Sequence, residues 1–207
     1  KNSNLTGSLG NSLLLHSIGH YWEWASLYCC GSRNGAGKVM GLAALGEESK
    51  SYEEDILTIN DYGEIKLDFC KINEIYNEPN IFVSDLSNSK HHQDLAKRVQ
   101  LETENVILKL LNILKKRFPS DNLYLSGGVA LNVVANERIK KSNLFKRIIL
   151  NGSVEDNGTA IGAGLAASLQ LGYKRKTSII TDYYGRKYSH NEIIEAVNKY
   201  NLPYKVC

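Results

Sequence analysis

Asn122-Leu123-Tyr124-Leu125-Ser126-Gly127-Gly128-Val129-Ala130-Leu131-Asn132 carries the clearest architectural signal in the chain. Asn122 to Ser126 is a short apolar run of the kind that forms a strand. Gly127-Gly128 makes a tight turn, and Val129 to Lys141 then carries a helical pattern. Further on, Arg147 to Leu150 reads as a second strand, Asn151 to Gly158 as a polar loop and Thr159 to Leu171 as a helix of small residues. Strand, glycine turn, helix, strand, loop, helix is an α/β layout. Each loop leaves the carboxyl end of a strand and enters a helix N-terminus, where open α/β sheets bind their ligands.

Upstream of this unit, Leu95, Val99, Val106, Leu110 and Leu114 recur at intervals of four or seven, one face of a long helix. Asp94 is its expected N-cap, and Lys115, Lys116 and Arg117 complement the dipole at its C-terminus before Pro119 stops it. His91-His92 should precede this helix in solvent. Residues 71–94 read as irregular and polar. Ile56–Ile59 and Glu64–Phe69 flank Asn60-Asp61-Tyr62-Gly63 and predict a β-hairpin. Ser12 to Cys30 reads as a largely apolar helix whose aromatics belong to a core. Gly31 to Gly37 is a glycine-rich loop, and Val39 to Leu45 a short helix closed by Gly46. At the other end, residues 172–183 read as a basic, exposed connector. Ser189-His190-Asn191-Glu192 is a capping-box pattern that opens a new helix.

Bulk properties narrow the classes. A length of 207 residues corresponds to roughly 1.4 average domains. With 43% hydrophobic and 23% charged residues, the chain can bury a core and is not a disordered tail. No run approaches the roughly 20 apolar residues of a membrane span, and the polar start lacks the apolar region of a signal peptide. That start is Lys1 and not Met, so the chain is expected to be a piece cut from something longer. The cysteines Cys29, Cys30, Cys70 and Cys207 have neither CxxC nor zinc spacing and read as reduced, cytoplasmic thiols. Residues 137–207 hold 12 basic and 6 acidic side chains, yet the basic ones are scattered without aromatics. That is a solvated surface and not a nucleic-acid patch.

Several positions have two readings. Gly127-Gly128 is either a steric turn or a place where a phosphate meets backbone N–H groups at a helix N-terminus. Asp156 either caps the following helix or offers a carboxylate to a metal or to phosphate-bound magnesium. Lys38 follows Gly35-Ala36-Gly37, but Val39 stands where a P-loop needs Ser or Thr, so the P-loop reading fails and an anion contact is what is left for Lys38. His16 and His20 have i,i+4 spacing but no HExxH, which favours a structural role over a metal site. No GxSxG nucleophile motif is present.

Four blocks together resemble one family. Gly37-Lys-Val-Met-Gly-Leu-Ala-Ala-Leu-Gly46 resembles the G-K-x-M-G-L-A-P-Y-G block of the nodulation-type carbamoyltransferases. Leu95-Ala96 with Val99-Gln100-Leu-Glu-Thr103-Glu104 resembles their L-A-x-x-x-Q-x-x-T/L-E helix. Asn122 to Asn132, continuing to Asn136, resembles their N-L-x-L-x-G-G-V-A-L-N-x-x-x-N block. Asp156-Asn-Gly-Thr-Ala-Ile-Gly-Ala163 resembles their D-x-G-x-A-x-G-A loop and helix. Departures occur at Ala44 and Leu45, where the family usually has Pro and Tyr, and before Asp156, where its Gln-Pro start is lacking.

The resemblance implies an actin/hexokinase-like pair of ribonuclease-H-like subdomains followed by a YrdC-like domain. This chain would then hold the second subdomain, with an added β-hairpin and helices, over residues 1–171. Residues 172–183 would be the connector, and 184–207 the start of the YrdC-like domain. The implied activity is O-carbamoyl transfer. Carbamoyl phosphate and ATP yield carbamoyl-adenylate, and its carbamoyl group passes to a hydroxyl of a small-molecule or sugar acceptor. By the same resemblance Gly127, Gly128, Asn132 and Lys38 belong to the nucleotide site, Asn132 in a supporting role. Asp156 is a ligand of a divalent metal, iron first and magnesium as the alternative, shared with the first subdomain of the same polypeptide. The resemblance assigns no catalytic side chain. A tRNA threonylcarbamoyl transferase-like protein and a non-catalytic actin-like nucleotide-binding module are the alternative readings.

Overall fold

The computed structural model describes residues 16–48, 54–77, 89–150, 153–174 and 185–205. Its first helix, α1 (Ile18–Cys30), starts at a true cap: the Ser17 hydroxyl accepts the His20 N–H at 3.2 Å. Gly31, at φ 65°, closes it in the left-handed conformation, and its N–H reaches the Leu27 carbonyl. The part expected from Ser12 to Leu15 lies outside the described residues. Helix α2 (Ala36–Ala43) begins three residues earlier than expected, because the Gly35 carbonyl accepts from both Lys38 and Val39 N–H. Gly37 and Lys38 are therefore helical and not part of the loop.

The hairpin forms as the sequence predicts. Strands β1 (Leu57–Ile59) and β2 (Ile65–Leu67) pair antiparallel, Leu57 facing Leu67. Asn60 makes the turn, its side-chain oxygen accepting from the Tyr62 and Glu64 N–H groups at 3.0 and 2.9 Å. The expectation of irregular chain over 71–94 is overturned on both sides of the segment 78–88, which lies outside the described residues. Helix α3 (Phe69–Asn77) is capped by Asp68, whose carboxylate accepts from the Cys70 and Lys71 N–H groups, and it buries Ile72 and Ile75. Phe69, Ile72 and Ile75 recur at every third position and pack on the core, a short pattern that the reading of 71–94 as irregular passed over.

Helix α4 (Lys90–Arg117) corrects two further expectations. Ser89, not Asp94, stands at its N-cap position. Asp94 lies one turn inside, where it accepts the Glu47 N–H at 2.7 Å and pairs with Lys90. His91 and His92 lie within the helix and not ahead of it, and His91 is exposed as expected. His92 is buried, and His91 Nε2 meets the Tyr28 hydroxyl at 3.0 Å. The expected apolar face is buried at Leu95, Val99 and Val106 and emerges toward solvent at Leu114.

Strands β3 (Asn122–Leu125) and β4 (Arg147–Leu150) pair parallel, Asn122 opposite Arg147 and Leu125 opposite Leu150. Between them the expected single helix 129–141 is divided. A 3-10 turn spans Gly128–Leu131 and α5 spans Val133–Lys141. Asn132 makes the break: its backbone is extended, and its side chain restarts the helix by accepting the Ala135 N–H. Helix α6 (Asp156–Gln170) starts three residues before the expected Thr159. Helix α7 (His190–Lys199) carries the predicted capping box between Ser189 and Glu192. The chain is thus mixed α/β. It divides into two compact units, Lys1–Ile161 and Gly162–Cys207. The second has no buried hydrophobic residue among those described. No helix among the described residues is long and apolar enough to cross a membrane.

The core of the first unit is built on α1. Tyr21, Trp22, Trp24 and Tyr28 are buried there with Val39, Ile56, Leu57, Leu67, Leu95 and Val99. Each large side chain so buried contributes roughly 1.5–3 kcal/mol. Their relative placement is directed by one buried carboxylate. Glu102, 5% exposed, accepts from the Tyr21 hydroxyl at 2.8 Å and the Arg98 Nε at 2.6 Å. It also accepts the Leu57 N–H at 2.9 Å and the Ile56 N–H at 3.2 Å. Beside it Trp22 donates its indole N–H to Thr103 at 2.9 Å.

Replacing Glu102 with Ala takes away the buried partner of the Tyr21 phenol and of two backbone N–H groups and removes one of the partners of Arg98. The expected loss is about 3–5 kcal/mol, read by urea unfolding, with a smaller loss for Glu102→Gln. Two core groups also make stability fall at alkaline pH. Burial, reinforced by Cys30, pushes the Cys29 thiol from 9.0 up to about 12. Burial and the adjacent Glu102 carboxylate hold the Tyr21 phenol well above its ordinary 10.0. Both folded values are raised, so stability is full below the unfolded values. Above them only the unfolded chain releases these protons. Unfolding free energy should therefore be flat up to pH 9 and then decline by about 1.4 kcal/mol per pH unit per group. In Cys29→Ala the decline should be shallower from pH 9, where only the Cys30 thiol, also raised by burial, is left, and should steepen above 10 as Tyr21 adds its part.

Candidate functional site

Parallel pairing of β3 and β4 carries the chain out of both strands at the same end. The two following segments, Ser126–Gly128 and Ser153–Asp156, therefore meet. The Gly127 N–H donates to the Val154 carbonyl at 2.7 Å, and the Ser126 hydroxyl points to the same oxygen at 3.4 Å. Gly127 has φ 96° and ψ 165°, a conformation open essentially to glycine alone. Its carbonyl accepts the Ala130 N–H, which winds the 3-10 turn. Asn136, one turn into α5, donates to the Ala130 carbonyl at 2.7 Å and ties the turn to the helix behind it. Helix α1 packs against the same turn.

Gly128 is a different case. A Cβ there would meet no heavy atom within 4 Å. Among the described residues nothing requires a glycine at this position, and the space before it is open. The N–H groups of Gly128 and Val129, first in their 3-10 turn, have no acceptor within it. An anion of phosphate type suits this end of the turn, because it needs donors that approach through backbone alone.

The second segment brings a carboxylate. Asp156 is the first residue of α6 and its side chain is exposed. Close packing positions it: a Cβ on Gly158 would stand 2.1 Å from the Ser153 carbonyl oxygen, so only glycine lets α6 start this tightly against the loop. Of the sequence-derived candidates, Gly127, Gly128 and the Asp156 loop are thus drawn together, with Asn132 at the base of the turn. Lys38 is exposed in the first turn of α2, where its charge acts on the Cys30 thiol. Among the described residues no hydrogen bond or ion pair joins Lys38 to the turn.

The two histidines of the H-x3-H spacing are each occupied locally. His16 Nδ1 accepts the Leu67 N–H at 3.1 Å and its ring lies against Phe69, while His20 Nδ1 meets the Ser17 hydroxyl at 2.8 Å. Among the described residues no three His, Cys, Asp or Glu side chains gather to hold a metal. An open surface cavity of about 520 Å³ lies at the hairpin tip, lined by Asp61, Lys109, Asn112, Ile113, Lys116 and Arg117, and includes none of these candidates.

The sequence pattern passed over the groups behind the turn. Gln100 and Glu104 were legible only as letters of a motif. In the structure both are buried, and they bond to Asn132 and Arg138. Their i,i+4 spacing places them on one face of α4, but that this face meets Asn132 is a tertiary fact.

Comparison with known proteins shows the family. The family model described as carbamoyltransferase N-terminus matches residues 4–165, the segment that contains the turn, α5 and Asp156. An uncharacterized protein of Synechocystis sp. is 29% identical over 199 residues, 86% of this chain and 32% of that protein. Nodulation protein NolO of Bradyrhizobium diazoefficiens is 27% identical over 150 residues, 71% of this chain and 27% of its own length. Nodulation protein NolNO of Sinorhizobium fredii is 25% identical over 150 residues, 71% of this chain and 22% of its own length. The chain therefore spans a third or less of these relatives.

The two glycines of the turn should respond oppositely to alanine. Gly127→Ala forces a side chain into a glycine-only conformation and should lose about 1–3 kcal/mol of stability. Gly128→Ala meets open space and should leave stability unchanged or raised by up to about 1 kcal/mol, because the unfolded chain loses freedom. Urea unfolding of the two variants side by side checks this.

Proposed function

This chain belongs to the carbamoyltransferase family, and on that premise we propose that it is a segment of an O-carbamoyltransferase using carbamoyl-adenylate as donor. One observation carries the reading. Within the family-matched segment, two strand-end loops are bonded together by Gly127 and Val154, one offering free N–H groups and the other the Asp156 carboxylate. That arrangement suits an activated acyl group attached to a phosphate.

In this reading residues 1–171 are the second ribonuclease-H-like subdomain of an actin/hexokinase-like pair. Residues 172–183 are a connector, and 184–207 open a YrdC-like domain that makes carbamoyl-adenylate from carbamoyl phosphate and ATP. The Gly128 and Val129 N–H groups receive the adenylate phosphate, and Gly127 shapes the turn that presents them. Asn132 supports the turn from below. Lys38 adds a cation from α2. Asp156 contributes one oxygen ligand to a divalent metal, iron or magnesium, whose other ligands come from the first subdomain of the same polypeptide. Such a metal supplies Lewis-acid polarisation when bound.

The transfer needs no covalent enzyme nucleophile. The acceptor hydroxyl oxygen bonds to the carbamoyl carbon, and the bond from that carbon to the phosphate oxygen breaks. AMP leaves with the electron pair, and the hydroxyl proton is released. Donors fixed at the turn stabilise the charge that grows on the departing phosphate, the kind of preorganised electrostatics worth several kcal/mol. The acceptor is a hydroxyl-bearing small molecule or sugar, and the setting is cytoplasmic.

The test uses the full-length protein with radiolabelled carbamoyl phosphate, ATP and a panel of sugar acceptors. Asp156→Ala should abolish label transfer to the acceptor while ATP-dependent adenylate formation persists. Gly128→Ala, stable by itself, should weaken transfer by at least tenfold, on the order of 1.4 kcal/mol, because the added methyl blocks backbone approach. Transfer that survives Asp156→Ala unchanged rules out a metal role for Asp156 in that step.

A further inference from the structure

Behind the turn runs a chain of buried polar groups that the reaction as written does not touch. Asn132 is 8% exposed and Gln100 is 3% exposed. Their two amides face each other and exchange hydrogen bonds. Asn132 Nδ2 donates to Gln100 Oε1 at 2.9 Å, and Gln100 Nε2 donates back to Asn132 Oδ1 at 3.2 Å. The second N–H of Gln100 goes to Glu104 Oε1 at 2.7 Å. The other oxygen of Glu104 accepts Arg138 Nη1 at 2.9 Å, and Arg138 Nη2 donates to Asn105 at 2.7 Å.

Burying an amide pair and a carboxylate is unfavourable unless every group is paired. Here they pair in one order only. Glu104 can only accept from Gln100, so the Gln100 amide must turn its N–H₂ toward Glu104 and its oxygen toward Asn132. That orientation in turn makes Asn132 present its oxygen both to the Gln100 N–H₂ and to the Ala135 N–H, 2.9 Å away, where it caps α5. A satisfied buried network of this kind is rigid. It ends on Asn132, the residue at which the 3-10 turn passes into α5. The direction of the Gly128 and Val129 N–H groups is thereby referenced to the long helix α4.

We propose that Gln100 is a positioning residue for the phosphate site: oriented by Glu104 and Arg138, its amide locks Asn132 and so holds the Gly127–Leu131 turn in its anion-accepting form. The inference rests on the reading of that turn as a nucleotide site. Gln100 itself touches no ligand. It acts through Asn132.

Hydrogen exchange of the peptide covering residues 126–132, in the full-length protein titrated with ATP, tests it locally. Gln100→Met keeps the volume and removes three hydrogen bonds. It should speed exchange of the turn without ATP and raise the half-protecting ATP concentration by about tenfold. Asn132→Asp keeps the helix cap but loses the N–H₂ donor, and it serves in the same way should Gln100→Met not fold. The double variant should be no worse than the weaker single one, because both break one linkage. Val106→Ala loosens α4 elsewhere and should leave the ATP midpoint unchanged. ATP protection of the turn with an unshifted midpoint in both variants overturns the role of Gln100 while the nucleotide reading stands. A shift in Val106→Ala as large as in Gln100→Met overturns it too, since lost stability then explains both. An unprotected turn in the wild-type protein sinks the nucleotide reading and the inference together.

Discussion

The first unit depends on one buried carboxylate. Glu102 receives the Tyr21 phenol from α1, the Arg98 guanidinium from its own helix and two backbone N–H groups at the start of the hairpin. A carboxylate can satisfy about four acceptor sites, and here nearly all are used inside the protein. The charge remains buried because it is paired and because the hairpin lends its unpaired N–H groups. Without it those N–H groups, the phenol and Arg98 would each lose a partner in a region water does not reach. The hydrophobic contacts among Trp22, Tyr28 and Leu95 supply most of the driving force, but they are non-directional. The hydrogen bonds to Glu102 select the one arrangement in which α1, the hairpin and α4 meet.

The same short segment of α4 serves the opposite side. Glu102 and Thr103 hold α1, whereas Gln100 and Glu104, one turn apart, face α5. Five consecutive residues thus join the core to the candidate site. The site needs that support because the β3–β4 pair has only two strands among the described residues. Two parallel strands have little stability of their own. What the pairing does contribute is direction. Parallel strands release their following loops at a common end, and so Ser126 and Gly127 both reach Val154, Ser126 across 28 residues of chain.

Much of this was legible before any coordinates. The hairpin was readable because Asn60 and Gly63 have turn chemistry independent of context, and the α7 cap because Ser189 and Glu192 satisfy each other locally. The long helix was readable from its spacing. The misses share a cause. Asp94 has the chemistry of a cap but is claimed by Glu47, 47 positions away. The helix expected over 129–141 is broken at Asn132, whose side chain serves both Ala135 and the distant Gln100. His92 looked solvated because nothing nearby in sequence foretold Tyr28 against it. In each case a partner remote in sequence outweighed the local preference.

The amino-acid sequence by itself determined the order of elements, the glycine turn between β3 and its helix and, through four spaced blocks, the family. These are properties of local backbone preference and of residue pattern, and both survive without a fold. Only the tertiary structure decided that Gly127 is obligatory for its conformation while Gly128 is free, that the Asp156 loop joins the turn, and that Gln100 stands behind it. Those facts follow from parallel strand pairing and from buried hydrogen bonds across 28 to 32 residues of chain. No local pattern encodes such partners, because their energy appears only when both groups have left water together.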